Sequence, residues 1–172
     1  MRFPKIIVFI LTSALCIMSA NLMAGGVKGQ KGIGFSATDV TPTFKSVIWV
    51  SDNVKFEPSI AFASFSPDEG DGLTRFIPGL GILYSFRVGE PIRPFVGIRG
   101  AFDMLSADGE SYSDIMFAPA VGAEYFFSDH FSVAGEYQMQ IIMADDQLSP
   151  NFYSAGSTMI ESAEMLSVHF YF

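Results

Sequence analysis

Leu166-Ser167-Val168-His169-Phe170-Tyr171-Phe172 closes the chain, and its alternation decides how the rest reads. Leu166, Val168, Phe170 and Phe172 fall on one face and Ser167, His169 and Tyr171 on the other, the two-residue period of a β-strand. A terminal strand with an exposed apolar face is odd in a soluble domain. It fits a wall whose outer face meets lipid and whose last aromatics lie at the lipid boundary.

The start of the chain points to export. Arg2 and Lys5 precede Ile6-Ile7-Val8-Phe9-Ile10-Leu11, and the apolar stretch runs to about Met18 before small residues and Gly25-Gly26, the layout of a secretory signal peptide. Cleavage after Ala24 is expected, with Ala20 as the alternative, so 1–24 is read as the signal and 25–172 as the barrel domain. Leu15 precedes Cys16 where a lipoprotein wants a small residue, which argues against lipidation. Removing 1–24 removes that one cysteine, leaving no thiol for a disulfide or nucleophile.

Charge and composition narrow the class. Loss of the leader takes two of ten basic residues and keeps all 18 acidic ones, a balance that disfavours nucleic acid as a partner. Aromatics make up 15% of the chain, 18 of them Phe. Yet the longest mainly apolar stretch after the leader, 76–86, is far short of the ~20 residues a spanning helix needs. A secreted β-sandwich and an outer-membrane β-barrel remain.

Turn spacing separates them. Alternating segments bounded by turn residues cover 31–39, 43–50, 54–65, 74–88, 92–105, 112–127, 131–143 and 157–172, an even count. Ser51-Asp52-Asn53, Gly89-Glu90-Pro91 and Ser128-Asp129-His130 are tight connections. Connections after the third, fifth and seventh segments are longer and Gly- or Asp-rich, whereas Val40-Thr41-Pro42 after the first is short. Short turns on one rim and longer loops on the other predict an all-β, eight-stranded antiparallel up-and-down transmembrane barrel, with turns periplasmic and loops outside.

Alternation also sorts the side chains. With apolar residues outward, Lys45, Lys55, Arg75, Arg87, Arg93 and Arg99 face a lumen that also receives Glu57, Asp103, Asp114, Glu124, Glu136 and Glu161. Eight strands leave an interior just wide enough for side chains, so these groups are expected to pair, with Gln138, Gln140 and His169, as a plug. Glu164 alone shares the phase of the lipid-facing residues, which calls for either a site near the outer interface or a bulge. Pro58 and Pro94 lie near turns; Pro78 and Pro119 are expected to mark bulges or frayed rims.

Trp49-Val50-Ser51-Asp52-Asn53-Val54 and Phe126-Phe127-Ser128-Asp129-His130-Phe131 repeat one aromatic-Ser-Asp turn. With Arg93-Pro94-Phe95-Val96-Gly97, they make the chain resemble the OmpA/OmpX-like, porin-family outer-membrane barrels of Gram-negative bacteria. That resemblance implies the barrel and an outer-membrane location beside lipid and lipopolysaccharide. It also implies that Leu166, Val168, Phe170 and Phe172 form the assembly signal read by the barrel-assembly machinery. It implies no single activity.

Enzyme readings find little support. His130-Phe131-Ser132 has the His-x-Ser spacing of small-barrel lipid A deacylases, but Ile142 stands where their carboxylate would lie. His169 has no second His nearby for a metal, the Met residues read as packing, and there is no Gly-rich phosphate loop. The reading is a non-enzymatic, monomeric outer-membrane barrel with a filled lumen, a structural or surface-interaction role and no cofactor or metal. The main alternative is a porin-like barrel handling small solutes or lipids. A secreted lipocalin-like barrel is disfavoured because it would turn its apolar residues inward. Acidic residues in the loops (Asp68, Glu69, Asp71, Asp108, Glu110, Asp145, Asp146) read first as a solvated rim, and second as a place to share divalent cations with lipopolysaccharide.

Overall fold

The structure, a computed structural model, describes residues 26–37, 42–65, 72–87, 91–107, 110–145 and 155–172. The expected leader over 1–24 lies outside them, as do Asp68, Glu69, Asp71, Asp108 and Asp146. Eight strands follow in order: β1 (Lys31–Ala37), β2 (Pro42–Trp49), β3 (Val54–Phe65), β4 (Leu73–Ser85), β5 (Ile92–Ala107), β6 (Glu110–Ser128), β7 (Phe131–Met143) and β8 (Thr158–Tyr171). Each pairs antiparallel with the next, and β8 pairs with β1 to close the barrel. Closure leaves no strand without a neighbour on each side and is the β solution available to a chain that must satisfy its backbone in lipid.

The burial pattern is that of a protein turned inside out. Phe62, Leu80, Ile82, Val96, Ile98, Val121, Tyr137 and Leu166 are exposed, while Lys45, Lys55, Glu57 and Glu124 are at most 1% accessible. At the end bearing the short turns, the outward rings of Tyr125, Phe127, Phe131 and Phe170 follow one another at centroid spacings of 4.7, 5.5 and 5.3 Å. Tyr84 and Phe86 extend this girdle on β4. Two glycines make room inside. A β-carbon at Gly81 would meet the Arg99 guanidinium, and one at Gly122 would meet the Phe95 ring.

Two expectations are corrected, and a third is narrowed to one of its two alternatives. The connection after the fifth strand is not a long loop, because β5 and β6 pair up to Ala107 and Glu110 and leave only Asp108 and Gly109 between them. Asp-Gly between alternating strands is a hairpin signal, and the strands extend through Ser106 and Ser111 to reach it. Pro78 and Pro119 mark no bulge. Pro78 pairs with Ile60 and Pro119 with Ile98, while their ladders on the other side skip two residues and resume in the same register. A residue's N–H points to one neighbouring strand only, so proline breaks one ladder and spares the other. The register shift at Phe126/Ser128 lies instead at the rim. Nor does a bulge rescue Glu164: β7 and β8 pair without a shift from Phe131↔Phe170 to Met143↔Thr158, and Glu164 lies outward opposite Tyr137.

Candidate functional site

Inward positions of all eight strands converge on the lumen, which has three levels. Nearest the turns lies an aromatic floor. Val47, Trp49 and Tyr171 are buried together, and Phe126 stacks on Tyr171 at 5.8 Å. The Arg93 guanidinium fits between the Trp49 and Phe126 rings, 5.8 and 4.9 Å from their centroids, and donates to the Gly26 carbonyl at 2.8 Å. Residues 26–30 tuck under this floor. The Gln30 amide donates to the Asp129 carbonyl at 3.1 Å, and the Gly29 N–H donates to the Trp49 carbonyl at 2.8 Å.

Above the floor runs a closed network of three cations and three carboxylates. Lys55 Nζ lies 2.9 Å from Glu57 and 2.7 Å from Glu124. Arg99 reaches Glu57 at 2.7 Å and Glu136 at 2.6 Å, and Lys45 lies 3.6 Å from Glu57 while donating to Ser167 Oγ at 3.1 Å. Glu124 accepts further hydrogen bonds from Ser132 and from the Tyr171 hydroxyl, and lies 2.9 Å from His169 Nδ1. Gln138 donates to Glu136 at 2.7 Å, and Gln140 donates to Gln138 at 3.1 Å. Each buried charge faces an opposite one at contact distance, the condition under which desolvation is offset.

Toward the loop end the lumen widens to a cavity of about 220 Å³. Arg75 and Asp103, joined by a bidentate ion pair, line it with Asp114, Gln140, Glu161, Met116, Ile142 and Met165.

No protein-family model matches the sequence, and no curated protein matches it. Among solved structures, Neisserial surface protein A (NspA) is similar with a TM-score of 0.54 at 12% identity, over 83% of this chain and 94% of that one. The N-terminal β-barrel domain of Pseudomonas aeruginosa OprF gives 0.46 at 16% identity, over 84% and 98%. Ail, the attachment invasion locus protein of Yersinia pestis, gives 0.44 at 13% identity, over 85% and 100%. The likeness to NspA carries the comparison.

The fold is the closed eight-stranded antiparallel β-barrel seen in NspA.

Within this barrel the twelve charges assigned to the lumen fall at different levels. Lys45, Lys55, Glu57, Arg99, Glu124 and Glu136 meet in the buried cluster. Arg75 pairs with Asp103 at the cavity, Arg93 belongs to the floor, and Asp114 accepts the Asp145 backbone N–H at 3.0 Å. Arg87 is not in the lumen. β4 ends at Ser85, so Arg87 stands exposed at the rim, 3.7 Å from Asp52 and donating to the Gly26 carbonyl. Glu161 faces the cavity from its mouth and is exposed, outside the network. Leu166, Val168, Phe170 and Phe172 lie on the outer face of β8 and just past it, with Leu166 61% and Phe172 41% accessible.

Ser132, His169 and Glu124 lie together, a set that invites a nucleophilic reading, and the geometry refuses it. His169 presents the same Nδ1 to both Ser132, at 3.4 Å, and Glu124, so the ring does not relay between base and nucleophile. All three are buried without space for a substrate. The His-x-Ser pair is split as well, because His130 stays on the turn and donates to the Tyr171 carbonyl at 3.0 Å. Among the described residues no group of three His, Cys, Asp or Glu could hold a metal.

Proposed function

We propose that the chain is an integral outer-membrane barrel of structural or surface-interaction role, monomeric and non-enzymatic, with the loop end outside and a lumen that conducts nothing. The observation that carries this reading is the lumen itself: an aromatic floor with residues 26–30 beneath it, then a salt-bridged core drawn from five strands. An ion crossing it would have to part buried ion pairs that interlock across the lumen. Planar-bilayer recordings of the purified barrel are expected to show no unitary conductance at 100 mV. Steady channel openings would instead favour the porin-like alternative.

Export and assembly belong to the same reading. Intact-mass measurement of the membrane-extracted protein is expected to show loss of the first ~24 residues. Retention of Met1, or lipid on Cys16, would contradict it. Phe170 packs against Phe131 at a centroid distance of 5.3 Å, and the Phe172 N–H donates to the Lys31 carbonyl, so the chain end anchors the closing seam. Changing Phe170 and Phe172 together to Ser is expected to lower membrane-inserted yield in cells far more than refolding yield in detergent, because the assembly machinery reads this ending. Equal losses in the two assays would make it only a strand.

A further inference from the structure

One carboxylate interrupts the lipid-facing belt. Glu164 is exposed on the outward side of β8, six positions from Phe170 in the girdle at the turn end. At ~3.3 Å per residue on a strand tilted ~40°, it stands ~15 Å above that girdle in a belt ~25 Å tall. Ile160 on β8 and Met143 on β7 are exposed nearer the loops, so the apolar wall continues past it. A carboxylate at that depth is costly unless something within the membrane answers it.

Beside Glu164 the wall is notched. Gly135 lies opposite Leu166 on β8 and Ala123 on β6, between the bulkier pairs Val121–Tyr137 and Tyr125–Val133. A β-carbon at Gly135 would meet nothing within 4 Å, and Ala37, Val121, Tyr137, Glu164 and Leu166 border one depression over it. The chain itself has no cation to offer there. Of the eight basic residues after the expected leader, Lys28, Lys31 and Arg87 stand at the turn end and the other five point into the lumen. A second copy therefore brings no counter-charge to this depth, and lipid head groups lie at the boundary above it. A spanning helix can bring one, because its backbone is satisfied internally and its side chains reach the wall at any depth. Small residues such as Gly135 and Ala123 are what let a helix come close.

We propose that this face docks a membrane-spanning helix of another protein, with a lysine or arginine on Glu164 and an apolar side chain in the notch over Gly135. The inference rests on the membrane placement above. Its test uses the whole mature barrel in phosphatidylcholine nanodiscs, with isotope-labelled Leu, Val and Ile methyl groups followed by NMR. The titrant is a synthetic leucine-rich spanning peptide that carries one central lysine. The Val121 and Leu166 methyls are expected to shift saturably while Val96 and Ile98, exposed on β5, stay still. The same peptide with leucine in place of its lysine is expected to give no saturable shift. Glu164→Gln, at an exposed position, is expected to raise the half-saturation concentration about tenfold, the loss of one charge-assisted contact. Gly135→Leu is expected to abolish the shift by filling the notch. The proposal is overturned if the all-leucine peptide acts at the same concentration, if β5 responds equally, or if either substitution changes nothing. It is overturned as well if the same methyls respond, without peptide, to phosphatidylethanolamine or to a second barrel in the disc, which would make a lipid or another copy the occupant. Heat-modifiable gel mobility reads the placement separately. A barrel that inserts and ignores the lysine peptide removes the partner alone, and a chain that does not insert overturns both.

Discussion

Glu57→Ala is expected to lower the unfolding free energy of the barrel by about 3–5 kcal/mol, the cost of removing one side of a buried charge cluster. Glu57 is the carboxylate on which Lys45, Lys55 and Arg99 converge, at 3.6, 2.9 and 2.7 Å. Its truncation leaves Lys55 on Glu124 and Arg99 on Glu136, but Lys45 loses the one carboxylate within 4 Å of it among the described residues. The cost is therefore that of a stranded cation inside the barrel, more than that of a lost bond. Adding Lys45→Met should restore part of the loss, because the stranded charge goes with it and a side chain of similar length fills its place. Urea titrations of the protein folded into lipid vesicles measure both variants. A cost below about 1 kcal/mol for Glu57→Ala, the range of exposed ion pairs, would mean that water reaches the cluster.

Ile82→Arg should cost about 2–4 kcal/mol in the same assay, the penalty of a cation at the middle of the bilayer. Ile82 is outward on β4, opposite Phe56 on β3 and Ile98 on β5, and lies between the Tyr84–Phe86 girdle and Phe76 nearer the loops. Three residues along the strand, Ser85 is wholly buried in the lumen with its Oγ making no hydrogen bond. Ser85→Ala removes that hydroxyl and strands no partner, so its cost should stay below about 1 kcal/mol. In a soluble protein, an exposed Ile tolerates Arg with little loss. Equal costs for the two variants would therefore contradict the assignment of faces.

Most of the wall was legible because a strand advertises itself twice, through its two-residue period and through the turn residues that end it. Val54–Phe65 and Phe131–Met143 match the expected segments, and the other six differ by a few residues at their ends. The hairpin at the top of β5 and β6 was missed because Ser106, Ser111 and Asp108 look like loop residues, although Asp-Gly gives the turn its geometry. Alternation placed Arg87 and Glu161 inward, but parity says nothing about height. Arg87 lies beyond the last paired residue of its strand and Glu161 at the mouth of the cavity, so both reach solvent. The floor was invisible for a different reason. Gly26 and Gln30 have no periodic neighbours, and their role depends on backbone carbonyls meeting Arg93 and on an amide meeting Asp129, contacts 67 and 99 residues away in sequence. Ser132 and Tyr171 had the right parity for the lumen, yet only the closed barrel shows that both donate to Glu124.

Glu164 keeps the outward place that alternation gave it: it stands on β8 opposite Tyr137, with Thr158 and Ser162 exposed on the same face nearer the loop end.

Whether the chain crosses the outer membrane as a closed barrel is tested most directly by one gel. Outer-membrane fractions from cells producing the full chain, insoluble in Sarkosyl, are run in detergent with and without boiling. The account predicts that the protein is found in those fractions and changes mobility on boiling, because a closed barrel stays folded in detergent until heated. A protein recovered from the soluble periplasm, with one mobility before and after boiling, would contradict it.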